Sequence, residues 1–335
     1  MQRRKLFLAT WALAGCGLGL ISSGTQAQAS ATTAAADGFP SKPVRLVVSY
    51  PPGGTVDAVA RILGPKLAQR WGQPVVIDNR AGGGGLIGGD LVAKSTPDGY
   101  TLLMDASNHA QNPALRKSMP FDTLKDMAPV SLLVKVPNLL VVNPQFQART
   151  VTDLIKLAKA KPGELNYASA GNGSSPHLAG ALFTVQTGVD MVHVPYKGGG
   201  PAMIDVMSGL VPVFFASTAS ALPYVKSGKL LAVAVASQRR TPVLPDTPTF
   251  AEAGLPGYAM YEWNAVLAPG GTPKPLLEKI SRDIAAVLAD REINARLISI
   301  GAEVIGSTPA ELDKFRRAEI DKWSKLAQQA HISLD

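Results

Sequence analysis

Short β-branched strands alternate with helical stretches along this chain, and glycine-rich loops join them. The first such unit is a strand over residues 44–49, a helix over 56–71 and a second strand over 75–78. A third strand over 100–105 follows a Pro-Asp-Gly turn. This alternation predicts the α/β class, with a mostly parallel sheet and helices on both faces. Ligands bind such sheets at the carboxyl ends of the strands, where these loops would lie.

A second set of α/β units follows the first. Two apolar strands over 130–134 and 139–142 are separated by Pro137, and an extended run over 260–267 later leads into long helical patterns. We expect the chain to leave one lobe, build a second and return through these extended runs, with the last helix, 309–330, docking on the first lobe. The predicted lobes are 39–138 with 262–335, and 139–261.

The first 29 residues have the composition of an export signal. A basic start that includes Arg3 and Arg4 precedes an apolar run over 6–21, and the segment ends in an Ala-x-Ala cleavage site at 27–29. We therefore expect residues 1–29 to be removed, the protein to be periplasmic, and residues 30–38 to form a tether. The paired arginines match a twin-arginine signal only in part, so the export route stays open.

Cys16 adds an alternative to simple cleavage, because Leu-Ala-Gly-Cys at residues 13–16 resembles the lipobox of lipid-anchored proteins. The apolar run continues past Cys16, which favours soluble export over a lipid-anchored periplasmic form. Because Cys16 is the single cysteine of the chain, the mature protein contains neither a disulfide nor a cysteine metal site.

Charge is spread along the chain without a dense basic block. The sequence has 33 Lys and Arg against 25 Asp and Glu, a formal net charge of +8, and 46% of its residues are hydrophobic. These values are typical of a globular protein with mild surface basicity. They predict no nucleic-acid partner, since a nucleic-acid footprint is a clustered patch or stripe of Lys and Arg.

Three loops place glycine just before a predicted helix, at 53–55, 173–176 and 199–201. In the middle loop, Ser175 followed by Pro176 predicts an N-cap and a first helical residue. The N-terminus of a helix carries unsatisfied N–H groups and about half a positive charge, so several converging on one cleft would hold a carboxylate without arginine. The alternative is that glycine and proline only separate the α/β units.

Several short sequence motifs follow one another from about residue 39 to the C-terminus. They include Pro-Pro-Gly-Gly at 51–54, Asp-Gly-Tyr-Thr-Leu-Leu at 98–103, His-Val-Pro-Tyr-Lys-Gly at 193–198 and Pro-Asp-Thr-Pro-Thr at 245–249. With these motifs the chain resembles the Bug family, the TctC-type periplasmic substrate-binding proteins of tripartite tricarboxylate transporters. The resemblance implies a two-lobed clamshell of the type II kind that closes on a small carboxylate. It also implies that the protein has no cofactor and that its partner is a TctA/TctB-type membrane permease. We expect the protein to be a monomer.

The resemblance also implies which residues contact the ligand. The carboxylate would be held by the loop after the first strand, residues 50–55, and by residues 169–175 of the other lobe. Further residues would shape selectivity. Asp57 matches an acidic residue of the family and would cap the first helix and contact a ligand amine or hydroxyl. Tyr196 and Lys197 would contact the ligand across the cleft, or instead lie at a hinge or on the surface. The remaining predicted ligand-binding residues are Tyr50, Gly53, Gly54, Thr55, Ser107, Asn108, Ser169, Gly171, Asn172, Gly173, Ser174, Ser175, His177, Ser217 and Thr218.

Enzyme hypotheses find weaker support in the sequence. Gly83, Gly85 and Gly88 satisfy a dinucleotide fingerprint with Asp105 as the ribose-binding acid, but such a fingerprint alone is weak and an exported chain has no ready nicotinamide pool. His177 lies beside two serines without a G-x-S-x-G elbow, and the four histidines form no H-E-x-x-H pair. We therefore expect neither catalysis nor a metal, and predict a receptor for a mono-, di- or tricarboxylate, an amino acid or an aromatic acid. The alternative is an exported α/β hydrolase.

Overall fold

The computed structural model describes residues 38–52 and 54–334. The predicted export signal, Cys16, almost all of the predicted tether and the predicted ligand-binding residue Gly53 lie outside the described residues. None of the described helices combines the length and the apolar character needed to cross a membrane.

Strands and helices alternate through most of the described chain. The strands are β1 Val44–Val48, β2 Val75–Asn79, β3 Thr101–Ala106, β4 Met127–Val142, β5 Asn166–Ser169, β6 Val192–Pro195, β7 Val213–Ser217, β8 Leu231–Val235, β9 Tyr261–Pro269 and β10 Glu303–Val304. The helices are α1 Thr55–Trp71, α2 Leu86–Ala93, α3 Asn108–Leu115, α4 Val151–Ala160, α5 Ser175–Thr187, α6 Gly199–Ser208, α7 Thr218–Lys226, α8 Lys274–Leu288, α9 Arg291–Ser299 and α10 Pro309–Gln329.

The sheet is mixed, and its parallel parts lie at its two ends. In the order β2-β1-β3-β9-β4-β7-β5-β6, strands β1 to β3 are parallel to each other, and so are β5 to β7. The two strands between them, β9 and β4, run antiparallel to each other and to their outer neighbours. The predicted two-lobed α/β fold is confirmed, and the antiparallel pairs come from the strands on which the chain crosses between its halves.

Strand β4 is continuous, whereas the sequence predicted two strands separated by Pro137. Its first part pairs with β9 up to the pair Pro137 and Tyr261, and from Asn138 onward it pairs with β7. Proline removes a ladder donor, so it is tolerated where the strand changes partner. We propose that the lobes divide here and at the start of β9, as the predicted boundaries at 138/139 and 261/262 require.

The last helix, α10, packs on more of the molecule than predicted. It contacts α3 and β4, as expected for docking on the first lobe, and it also contacts α5. Trp323 and Leu326 of α10 share one apolar cluster with Leu178 and Phe183 of α5. The C-terminal helix therefore joins elements from both predicted lobes.

Three helices were missed in the sequence, namely α3, α7 and α9. Helices α3 and α7 are short and contain Pro113 and Pro223, which hide the helical period. The start of α5 also differs by one residue, because Ser174 is the N-cap and its side chain accepts from the backbone N–H of His177. Thr150 caps α4, accepting from the backbone N–H of Asp153.

Candidate ligand-binding site

A cleft of about 460 Å³ lies between loops that follow strands of both parallel parts of the sheet. Its volume falls in the range of small-molecule binding sites. Its lining residues are Tyr50, Pro51, Pro52, Gly54, Thr55, Val56, Gly84, Ala106, Ser107, Asn108, Ala170, Asn172, Ser174, Ser175, Pro176, Gly199, Phe214, Ser217, Ser220 and Glu262.

Five of the described helices begin at this cleft: α1, α3, α5, α6 and α7. The N-caps of α1 and α6 are glycines, and the N-cap side chains of α3 and α7 bond to no first-turn N–H. The first turns of these helices, with their N–H groups and partial positive charges, therefore border the same space. Among the described residues, neither Lys nor Arg lines it. The arrangement suits a small anion held by main-chain groups.

The loop of residues 50–55, here called jaw 1, is fastened by amide and carboxylate groups. The Asn79 side-chain amide donates to the Tyr50 backbone oxygen and to Asp57 Oδ1, both at 3.0 Å. The Tyr50 hydroxyl donates to Asn108 Oδ1 at 2.9 Å. Burial, with the nearby Asp105 and Glu262 carboxylates, holds the pKa of Tyr50 well above its usual range. Its hydroxyl therefore remains a protonated donor.

Asp57 supports jaw 1 from outside the cleft. It is 3% exposed, lies in the first turn of α1 and pairs with Arg61 at 2.9 Å. Its negative charge at a helix N-terminus is electrostatically favourable. The structure therefore places Asp57 behind the loop and away from the cleft lining, so the predicted contact with a ligand amine or hydroxyl has no direct geometric support.

The loop of residues 169–177, here called jaw 2, is fastened by hydroxyls. Ser169 Oγ lies 2.6 Å from Nε2 of His193 and accepts from the Gly171 N–H at 3.0 Å. The Ser174 hydroxyl donates to the Gly171 oxygen at 2.7 Å. Gly171 has φ of 121°, and a Cβ there would lie 3.2 Å from the Tyr196 backbone oxygen. Only glycine fits this turn easily.

Two stacked histidines lie beneath jaw 2. The rings of His177 and His193 have centroids 3.9 Å apart and planes inclined by 13°. The pKa of each is lowered to about 4, by burial in both cases and, for His177, also by the neighbouring His193. Neutral His177 accepts at Nδ1 from the backbone N–H of Gly173, at 3.0 Å. The conformation of the loop thus depends on an unprotonated imidazole.

The predicted site residues fall into three groups. The cleft lining contains Tyr50, Gly54, Thr55, Ser107, Asn108, Asn172, Ser174, Ser175 and Ser217. The residues that support the loops from behind are Asp57, Ser169, Gly171, Gly173, His177 and Thr218, the last of which donates to the Pro137 oxygen at 2.6 Å. Tyr196 and Lys197 are outside the lining: the Tyr196 hydroxyl donates to Asp205 at 2.6 Å, and Lys197 is exposed.

Glu262 is the lining residue of greatest chemical interest that sequence reasoning missed. Burial raises the pKa of its carboxyl, and the adjacent Ser217 side chain acts in the opposite direction. A lone acidic residue within the apolar run 260–267, at a predicted crossover, was the signal that could have found it. Phe214, Gly84 and Ser220 were missed as well.

The groups named by the enzyme hypotheses are engaged elsewhere. Asp105 is 3% exposed, accepts from Ser49 Oγ at 2.6 Å, and lies 3.3 Å from His109 Nδ1. It is therefore not placed to bind a ribose. The hydroxyl of Ser169, which does contact a histidine, belongs to a fully buried residue. Within the described part of the chain, no group of three or more His, Cys, Asp or Glu could hold a metal ion.

Comparisons with known proteins agree with this geometry. The model of the tripartite tricarboxylate transporter family receptor matches residues 59–332. The chain belongs to this family. The TctC receptor described here is 37% identical over 324 residues to Protein BugT of Bordetella pertussis, covering 96% of this chain and 98% of that protein.

Solved structures extend the similarity to the fold of the receptor. One is R. palustris Rpa4515 with adipate, with a TM-score of 0.80 and 38% identity over 88% of this chain and 99% of the other. Another is MatC from Rhodopseudomonas palustris with bound malate, with a TM-score of 0.76 and 33% identity over 86% and 99% of the two chains. The family is one of transporter receptors, and two other similar structures are described as a periplasmic transporter and as the periplasmic binding protein BugD.

Proposed function

We propose that this TctC receptor binds a small carboxylate in the cleft between jaw 1 and jaw 2. The observation that carries the proposal is the convergence of five helix N-termini on a space that no described Lys or Arg lines. Such N-termini supply N–H donors and partial positive charge to a bound carboxylate. The adipate and malate bound to the two relatives support a ligand of this class.

Closure would follow from contact with both jaws. A ligand that bonds to the start of α1 and the start of α5 at once favours the closed arrangement, because the open one offers only one set of contacts. Strands β4 and β9 would act as the hinge. We propose that the mature chain begins near residue 30, acts in the periplasm as a monomer without catalysis, and delivers its ligand to a TctA/TctB-type permease.

The direct test is a calorimetric titration of the mature chain with malate and adipate and with their neutral diamides. We expect saturable binding of at least one acid and none of its diamide, because only the acid complements the helix N-termini. The recovered acid should be unchanged by NMR. Binding of acid and diamide alike would contradict the proposal, and formation of a product would favour the exported hydrolase.

A proline substitution tests the main-chain contact itself. Thr55 is the first residue of α1, and the preceding Gly54 is extended, with φ −81° and ψ 171°, so Thr55→Pro removes one N–H without breaking the helix. We expect a loss of about tenfold in acid affinity, the effect of one hydrogen bond to a charged group. Arg291→Pro is the matched control, because it also follows a non-helical N-cap, Asp290 with φ −58° and ψ 129°, but begins α9 away from the cleft.

A further inference from the structure

Glu262 faces the cleft because of its place on a crossing strand. It is the second residue of β9 and pairs with Val136 of β4. Side chains alternate along a strand, so its neighbour Tyr261 points to the other face. There Tyr261 lines a second cavity, and its hydroxyl accepts from the Gln238 N–H at 3.2 Å. Strand geometry therefore fixes the Glu262 carboxyl in the wall of the ligand cleft.

The carboxyl of Glu262 has no basic side chain as a partner among the described residues, although it lies beside Ser217, the N-cap of α7. Among the described residues it is the one acidic or basic side chain of the lining, and none of their ion pairs includes it. Burial raises the pKa of Glu262, because the ionised carboxylate is less well solvated there than in water. The nearby Tyr50 hydroxyl cannot compensate, because it donates to Asn108.

Ser217 lies in the same part of the cleft wall as Glu262. It is 9% exposed, and its hydroxyl oxygen has no partner at ordinary hydrogen-bond distance among the described residues. It lies beside Glu262 and opposes the effect of burial on the pKa of that carboxyl. A buried hydroxyl oxygen without a partner costs free energy until something donates to it.

The cleft thus has two opposite electrostatic parts. Helix N-termini favour a negative group, while Glu262 disfavours a second one and attracts a cationic donor. A plain dicarboxylate would place one carboxylate near Glu262 and be opposed by like charge. An ammonium group would form a charge-assisted hydrogen bond with Glu262.

We propose that Glu262 and Ser217 form an ammonium subsite, so that the preferred ligand is a small zwitterion with one carboxylate and one ammonium group. This inference rests on the proposed carboxylate-binding function and adds the class of acid. Helix N-termini bind the carboxylate, Glu262 accepts from the ammonium, and the Ser217 oxygen accepts a second hydrogen bond from it.

Two series of probes separate the charge at the subsite from the length of the ligand. In the first series, 4-aminobutyrate, 4-hydroxybutyrate and glutarate place an ammonium, a hydroxyl or a carboxylate after the same three methylenes. In the second, 3-aminopropanoate, 3-hydroxypropanoate and succinate place the same three groups after two methylenes. In calorimetry we expect the ammonium member of the better-binding series to bind at least about tenfold more tightly than its hydroxyl or doubly anionic counterpart.

Glu262→Gln is the decisive variant, because it keeps the shape of the side chain and removes the charge. We expect this variant to bind the ammonium probe at least about tenfold more weakly than the wild type does. It should bind the matching dicarboxylate more tightly, since an amide can donate to a carboxylate. Ser217→Ala should weaken the ammonium probe by a smaller factor of about three to ten. Glu303→Gln is the matched control, because Glu303 is a glutamate that lines the second cavity.

The rank order of the probes decides between outcomes. Equal weakening of all probes by Glu262→Gln, or a wild-type preference for glutarate or succinate, would overturn the ammonium subsite and leave the carboxylate receptor intact. Failure of the wild-type chain to bind any of these probes, malate or adipate would overturn both. Thermal unfolding of each variant checks that the chain still folds.

Discussion

Both jaws of the cleft are held in place by side-chain hydrogen bonds, but the groups that form these bonds differ. Jaw 1 is fastened through Asn79 and Asp57, an amide and a carboxylate. Jaw 2 is fastened through Ser169, His177 and His193, a hydroxyl and two neutral imidazoles. An Asn–Asp pair keeps its contribution to stability at any pH above the range of carboxylates, whereas imidazoles that are buried neutral lower the stability from about pH 6.5 downward, where the unfolded chain begins to bind protons. The comparison teaches that one ligand site can have two supports with different sensitivity to acid.

The largest expected effect is the response of jaw 2 to pH. Because the folded chain keeps the pKa of His177 and of His193 at about 4, below the ordinary 6.5, the unfolded chain binds protons that the folded chain does not between those values. The free energy of unfolding should therefore fall as pH drops from about 6.5 to about 4, by about 3 kcal/mol for the buried His177 alone.

Chemical denaturation across this pH range checks the sign, with His177→Gln as the test variant and His331→Gln as the exposed control. The slope of stability against pH should be shallower in His177→Gln and unchanged in the control. An identical slope in all three proteins would remove the predicted contrast between the jaws.

A smaller effect is expected from removing the carboxylate behind jaw 1. Asp57→Ala loses the pair with Arg61 and the hydrogen bond from Asn79, which should cost about 2 kcal/mol of unfolding free energy. Asp153→Ala is the control, since Asp153 also lies in the first turn of a helix but is exposed, and should cost about 0.5 kcal/mol. Equal losses of unfolding free energy in the two variants would mean that burial of Asp57 contributes nothing. In ligand titration, only Asp57→Ala should bind the acid more weakly.

The hydroxyl behind jaw 2 gives the next effect. Ser169→Ala removes the contact with His193 and the bond from the Gly171 N–H, so we expect a loss of about 1 kcal/mol and weaker acid binding. Ser208→Ala removes an exposed hydroxyl that donates to the Asp205 oxygen and should change stability by less than about 0.5 kcal/mol. Unchanged binding in Ser169→Ala would show that jaw 2 keeps its shape without this hydroxyl.

The smallest effect is expected at Lys197. This residue is exposed and outside the cleft lining, so Lys197→Ala should change acid affinity by less than about twofold, as measured by calorimetry at low and high salt. A tenfold loss would instead support the contact across the cleft that the family resemblance implies. It would mean that Lys197 enters the site when the jaws close.

Sequence reasoning predicted the parts of the site that depend on local chemistry. Glycine before a helix and serine with Pro176 mark helix starts, and these gave Gly54, Ser174 and Ser175, which line the cleft. It missed the helices whose N-caps are Ser107 and Ser217, because each is short and contains a proline. Those residues were predicted as site residues through the family motifs, while their role as helix starts was not foreseen.

The sequence by itself determined the α/β class, the family and the positions of most helix starts, because these depend on residue periodicity, turn chemistry and motifs within a few neighbours. Only the tertiary structure decided that five helix starts meet at one cleft, that β4 runs through both halves as one strand, and that Glu262 faces the ligand space. These features depend on strand register and on the packing of distant segments. A period-two strand pattern does not say which of its two faces will meet a cleft.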